Sequence, residues 1–373
     1  GIIVIITPAG ALSGLDLIAY VSGFDLFLHG GNPYSLEELF RKQQEWHVQR
    51  NFPVAMWNPP IYFVYFAPII SLPPYIAPIA SRIMSLLCAL LLTRMGWHLR
   101  EKEHAGIPLI PFIVCSVGLL PFWEEIRLAQ NTSWVSVYVA VGTFAFFRGN
   151  RKWIAGALLA AALCKPHDFY IGILGVAFMT LYSREWKVIA GATLSLLVAA
   201  SVVQMVQPEI WSNWLFRKEW PYAACGANLT TLIQLIALDR SVYTDFILAI
   251  ASPVLGGFVW WRGLQQCRFT TPIDKIMWGW IVTPFFAPYG FLSDQVTLIF
   301  PLAYFTARVH NDESSVSLKT YIIFLTFINV ICLGLSFLPT APIPISWLLF
   351  APSILLLVYY AFRKTHQEFS RVE

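Results

Sequence analysis

Residues 188–206 contain no ionisable side chain, and apart from a few Ser, Thr and Gln they are apolar or small. A run of that length matches the roughly 20 residues an α-helix needs to cross the hydrocarbon core of a bilayer. Similar segments recur at 82–98, 107–122, 133–147, 245–262, 276–289, 296–308, 320–338 and 345–361, after a first one at 1–10. Only 12% of the 373 residues are charged, against about 25% in ordinary soluble domains. The expected fold class is therefore all-α: a polytopic membrane protein of about ten transmembrane helices, forming a single integral membrane domain over 1–373. Several runs are short for a full crossing, which calls for tilt or a thinned bilayer. GIIVIIT opens the chain in mid-run, so the first span is expected to be longer than what is visible.

Charge orients such a bundle. The connections at 94–104, 148–152, 184–187, 262–275 and 308–319, with the tail from 363, hold most of the 25 Lys and Arg residues. The positive-inside rule makes them cytoplasmic. The net charge of +4 is thus topology, and no nucleic-acid partner is expected. The opposite side receives 11–81, 123–131 and 207–231. The apolar stretch at 153–183 is broken by Lys165-Pro166-His167 and reads as two re-entrant half-helices meeting at a polar apex. Non-helical backbone at membrane depth survives only where protein buries it or it lines a cavity.

The long outer loop, about 11–81, has a structure of its own. Leu17, Tyr20, Val21, Phe24, Phe27 and Leu28 recur at helical spacing. Asp16 and Tyr20 share a strip of that helix, because residues four apart are neighbours. Gly30-Gly31-Asn32-Pro33-Tyr34 stops it, and Ser35-Leu-Glu-Glu opens an amphipathic helix over 36–50, suited to the membrane interface. Asp16 has two readings at this point, a helix cap or a chemical group. Asp25, nine residues on, faces roughly the other way and reads as solvated or paired.

Asp16-x3-Tyr20, Gly30, Pro33-Tyr34, Asn58-Pro59-Pro60 and an apolar run ending at Leu72-Pro73 together resemble the opening of glycosyltransferase family 87. These are polyprenyl-phosphate-mannose-dependent mannosyltransferases of the type-C membrane fold. Gln130-Asn131 is similar to the family's Gly-Gln-x-Asn, with Ala129 in place of Gly. Asn58 stands where the family has Tyr. RGNRKWIAGALLAAALCKPHDF resembles the family's basic loop, Ala-Gly helix and Lys-Pro element, and the Pro-Tyr at 288–289 is a weaker match. The resemblance covers roughly 11–310 and rests on the order and spacing of loose motifs.

That resemblance implies hexose transfer, with mannose as the sugar, from a polyprenyl-phosphate donor to a lipid or glycan acceptor. It implies inversion at the anomeric carbon, a bacterial inner membrane and a site facing the periplasm. Such a reaction needs a base for the acceptor hydroxyl and fixed donors for the leaving phosphate. Asp16 matches the family's catalytic aspartate. Arg82, Arg127, Lys165 and His167 are the candidates for the phosphate. An arginine at the start of an apolar span is costly unless paired or functional, the other reading of Arg82 being a side chain that snorkels to the interface. Tyr20, Glu124, Gln130 and Asn131 are candidate substrate contacts, with a plain Glu124–Arg127 salt bridge as the alternative for that pair. The segment 211–228, rich in Trp, reads as an interface belt or a lid. The scattered histidines show no metal-ligand spacing, and neither metal nor cofactor is expected. A secondary transporter and a catalytically inactive subunit of the same fold are the competing readings.

Overall fold

The computed structural model describes residues 16–48, 51–100, 106–217, 228–229, 231–233, 242–288, 290–311, 314–336 and 345–363. The expected span at 1–10 and most of the aromatic stretch after Arg217 lie outside the described residues. Those described are helical, and their one extended pairing is an isolated bridge between Cys267 and Arg363. Four helices are long and apolar enough to cross a membrane: Ala77–Arg100, Trp186–Val206, Ile247–Gln266 and Leu318–Leu335. The pair Leu109–Ser116 and Leu120–Leu128, bent by 47°, makes a fifth if it is one broken span. The expected ten crossings are not reached by length and composition among the described residues. The apolar faces nonetheless point outward. Leu194, Leu197, Val198 and Met205 on the Trp186–Val206 helix are exposed, as are Ile323, Phe324, Phe327 and Val330 on the Leu318 helix. Contiguous exposed apolar surface of this kind belongs in lipid, and the chain is an integral membrane protein.

The chain gathers into two compact units. The first comprises residues 1–88, 123–165 and 187–221; the second comprises 89–122, 166–186 and 222–373.

In the first unit, α1 (Leu17–Leu28) buries nearly its whole length, and Phe24 and Phe27 pack on Phe63 of α3 (Tyr62–Ile70). Gly30 ends α1 with φ +77°, a left-handed turn that residues with a Cβ adopt at a cost of about 1–2 kcal/mol. The Gly31 amide then donates to the Leu26 carbonyl. Ser35 caps α2 (Leu36–Glu45) by accepting from the Glu38 amide. The capping box is not reciprocal, because the Glu38 carboxylate takes the Asn32 N–H instead. α2 is shorter than the expected 36–50: His47 turns left-handed at φ +58° and ends it. Asp25 pairs with Lys42 at 2.7 Å and His29 at 3.5 Å, and its hydrogen bond holds the Lys42 ammonium above its ordinary pKa.

Farther along the chain, α4 (Ala77–Arg100), α5 (Leu109–Ser116), α6 (Leu120–Leu128), α7 (Thr132–Arg148) and α8 (Lys152–Leu159) follow in order; α5 and parts of α4 and α6 belong to the second unit, the rest to the first. α7 and α8 form a hairpin through the basic loop, and α8 runs on as a 3-10 segment, Ala160–Cys164. α8 meets α10 (Trp186–Val206) at two glycines. A Cβ on Gly156 would lie 1.9 Å from the Val188 carbonyl oxygen, and one on Gly191 would lie 1.9 Å from that of Trp153. Small residues that let backbones touch are the usual glue between helices in lipid, where burial of apolar surface offers no gradient.

In the second unit, α9 (Pro166–Tyr182) packs along α13 (Pro272–Phe286); α11 (Ile210–Leu215), of the first unit, and α12 (Val242–Gln266), of the second, precede α13 in the chain. Thr271 and Asp274 cap α13 reciprocally. A 3-10 turn, Leu292–Leu298, leads into α14 (Ile299–His310). Arg308 of α14 is buried and paired with Asp274 at 2.9 Å, and the Tyr304 hydroxyl donates to the same carboxylate at 2.6 Å. α15 (Leu318–Ser336) and α16 (Ile345–Phe362) close the unit as an antiparallel pair.

Candidate active site

Asp16 sits immediately before α1, yet its side chain makes no capping hydrogen bond there. Its carboxylate Oδ2 instead accepts from the Gln130 side-chain amide at 2.7 Å, and its backbone N–H donates to the Leu128 carbonyl. Of the two sequence readings of Asp16, the cap is therefore not realised. Gln130 is held from the other end: its Oε1 accepts from the Tyr20 hydroxyl and from Lys165 Nζ, each at 3.1 Å. Two donors on the carbonyl oxygen fix the orientation of the amide, leaving its NH2 for the carboxylate. Lys165 Nζ also donates to Thr132 Oγ1 at 2.6 Å. The result is a chain of polar groups, Asp16–Gln130–Lys165, in which Gln130 and Lys165 are buried and Asp16 is partly exposed.

The backbone that presents this chain is specific. Gln130 follows Ala129, whose φ of +49° is left-handed, where the resembling motif has Gly. The Ala129 carbonyl accepts from Ser81 Oγ, and the Gln130 amide closes the turn onto the Glu125 carbonyl. Lys165 ends the 3-10 segment in a non-helical conformation (φ −139°, ψ 68°), and Pro166 begins α9. Asn58 pins that break. Its amide donates to the Cys164 carbonyl at 3.2 Å while its own carbonyl accepts from the Tyr34 hydroxyl at 2.9 Å. The departure at Asn58 thus ties the Gly-Gly-Asn-Pro-Tyr turn to the residue before Lys165.

The remaining candidates divide. Asn131 is buried and donates to the Tyr62 hydroxyl, and Tyr62 lies between the rings of Tyr20 and Phe66; these aromatics form a floor beside Gln130. Arg82 is buried rather than snorkelled, its Nε donating to the Ile126 carbonyl at 3.1 Å. Glu124 and Arg127 pair with each other at the rim, Nε to Oε2 2.8 Å, which is the salt-bridge alternative for these two. Arg127 is also within electrostatic reach of Asp16. His167 belongs to the second unit, where its Nε2 lies 3.2 Å from Asp168 and 3.9 Å from Asp294. Of the segment 211–228, Trp214 donates to the Trp57 carbonyl and Arg217 lies over the Trp214 ring.

Glu125 is a member that the sequence reading missed. It is fully buried, and its Oε1 accepts from Ser85 Oγ, the Ser133 N–H and Ser133 Oγ. Among the described residues its Oε2 has no hydrogen-bond partner, and Lys165 interacts with it electrostatically. Its spacing held a signal: Glu125 is three residues after Phe122 and beside Ile126, both buried, and so falls on the apolar stripe of α6.

Chemically, the arrangement offers one carboxylate open to a reagent, positioned by a buried amide that a buried ammonium polarises. No curated protein and no solved structure matches the chain. The family model of glycosyltransferase family 87 matches residues 57–288, a stretch that includes Asn58, Arg82, Glu124 to Asn131 and Lys165 to His167 and leaves Asp16 and Tyr20 outside. With well over half its length so matched, the chain belongs to glycosyltransferase family 87.

Proposed function

We propose that this membrane glycosyltransferase moves a hexose, mannose by resemblance, from a polyprenyl-phosphate donor to a lipid or glycan acceptor at the non-cytoplasmic face. Asp16 is the base. It takes the proton of the acceptor hydroxyl as that oxygen bonds to the anomeric carbon, while the bond from that carbon to the phosphate oxygen breaks with inversion. The phosphate leaves with the bonding electron pair. Arg127 at the rim and Lys165 behind Gln130 supply positive charge for it, with Arg82 the next candidate.

The observation that carries this reading is the partly exposed Asp16 carboxylate at the head of an otherwise buried Gln130–Lys165 chain. A carboxylate serving only as a helix cap would bond the backbone of its own helix, and Asp16 does not. A positioned base contributes about 10²–10⁴-fold to rate.

The test is transfer of radiolabelled mannose from polyprenyl-phosphate-mannose into membrane lipids, with the wild type and Asp16→Asn at matched expression. A loss of about 10²–10⁴-fold in the variant is expected. Transfer that survives Asp16→Asn removes Asp16 as the base. A wild type with no transfer from this donor favours the inactive subunit or a different sugar donor.

A further inference from the structure

The second unit brings together three ligand-type side chains that are distant in sequence. His167 and Asp168 come from the first turn of α9, and Asp294 comes from the 3-10 turn before α14. One ligand atom from each lies within 4.8 Å of the other two, and both aspartates are buried. We propose that His167, Asp168 and Asp294 bind a divalent cation of the Mn2+ or Mg2+ type.

The donor separations, the donor types and the neighbouring residues support this. Ligand bonds of about 2.0–2.2 Å place donor atoms roughly 3 Å apart when adjacent and about 4.0–4.4 Å apart when opposite. The separations of 3.2 and 3.9 Å, with none beyond 4.8 Å, need only a small closure. Two carboxylates with one imidazole suit a cation that accepts hard oxygen donors. A further polar group stands beside Asp294. Thr297 is 5% exposed, and its hydroxyl has no hydrogen-bond partner among the described residues. Residues three apart eclipse on a 3-10 turn, so Thr297 lies on the same edge as Asp294. Gly290 borders the cluster as well: a Cβ there would come 3.8 Å from Asp294 Oδ2 and 4.0 Å from His167 Cδ2.

Asp168 also suits the positive N-terminal end of α9. An imidazolium bridging two carboxylates with no ion is the arrangement that absence of Mn2+ uptake would reveal. A bound cation would staple the start of α9 to the 3-10 turn. That role is independent of which sugar or acceptor the enzyme uses.

The purified full chain in detergent is stripped with EDTA and titrated with MnCl2, free Mn2+ being read from its aqueous EPR signal with no sugar donor present. One Mn2+ per chain is expected, displaced by excess Mg2+. Asp168→Asn and Asp294→Asn should each weaken it by at least about 10-fold, whereas Asp25→Asn, at a pair far along the chain, should not. A folded wild type that takes up no Mn2+ overturns the proposal, as does uptake unchanged in both variants. Should either variant fail to fold, Thr297→Val takes its place: Mn2+ bound more weakly than by the wild type upholds the site, and binding equal to the wild type's overturns it. Because binding is read without donor, its failure is distinct from a failure of mannose transfer.

Discussion

At the residue scale, Gln130 is the pivot. Its amide receives Tyr20 and Lys165 on one side and donates to Asp16 on the other, so one side chain sets the position and charge environment of the proposed base. Gln130→Glu keeps the shape and places a second carboxylate against Asp16. A like charge disfavours the ionised form and raises a carboxylate pKa. The base must be ionised to act, so the acid limb of the pH–activity profile should move to higher pH, with kcat recovered at alkaline pH. A profile measured for both forms that shows the same acid limb would remove Gln130 from the base's environment. Ala129 illustrates why the resembling motif has Gly: the left-handed φ costs a residue with a Cβ about 1–2 kcal/mol, and here the Ser81 bond to the Ala129 carbonyl helps hold it. Glu125, buried and with one carboxylate oxygen hydrogen-bonded among the described residues, shows that of two adjacent glutamates the inward one was the less conspicuous in sequence.

At the element scale, two devices position the site. One is the break between the 3-10 segment and α9, where Lys165 leaves helical geometry and Asn58 caps the last carbonyl. The other is the crossing of α8 and α10 on Gly156 and Gly191, where no side chain fits. Gly156→Leu must force those helices apart, and the purified variant should aggregate at a markedly lower temperature in detergent and lose transfer activity. Gly257→Ala is the matched control. It lies inside α12 with no atom within 4 Å of its would-be Cβ, and Ala in place of Gly favours a helix by up to about 1 kcal/mol. Equal behaviour of the two variants would mean that the glycine crossing is not what holds α8 to α10.

At the scale of the whole molecule, the positive-inside rule predicts that the basic connections face the cytoplasm. With Asn150 replaced by Cys in the basic loop and Asn32 by Cys in the long outer loop, a membrane-impermeant thiol reagent on intact cells should label the second and not the first. The reverse pattern would invert the expected topology. Membrane class, helical content and the polar break at 165–167 were legible in the sequence, because apolar run length, proline and charge are local properties. The helix opened by Asp16 and the stop at Gly30 were legible for the same reason. What a side chain faces was not. Whether Asp16 caps its helix or reaches Gln130, whether Arg82 snorkels or is buried, and which of Glu124 and Glu125 turns inward depend on segments 40 or more residues apart meeting in space. Asp294 beside His167 is the same case, a pairing that no spacing rule contains. The sequence by itself determined a membrane-embedded helical glycosyltransferase with its polar residues on a few turns. Only the tertiary structure decided which of those residues share a hydrogen bond, because that choice is made by packing between segments and not by the periodicity within one.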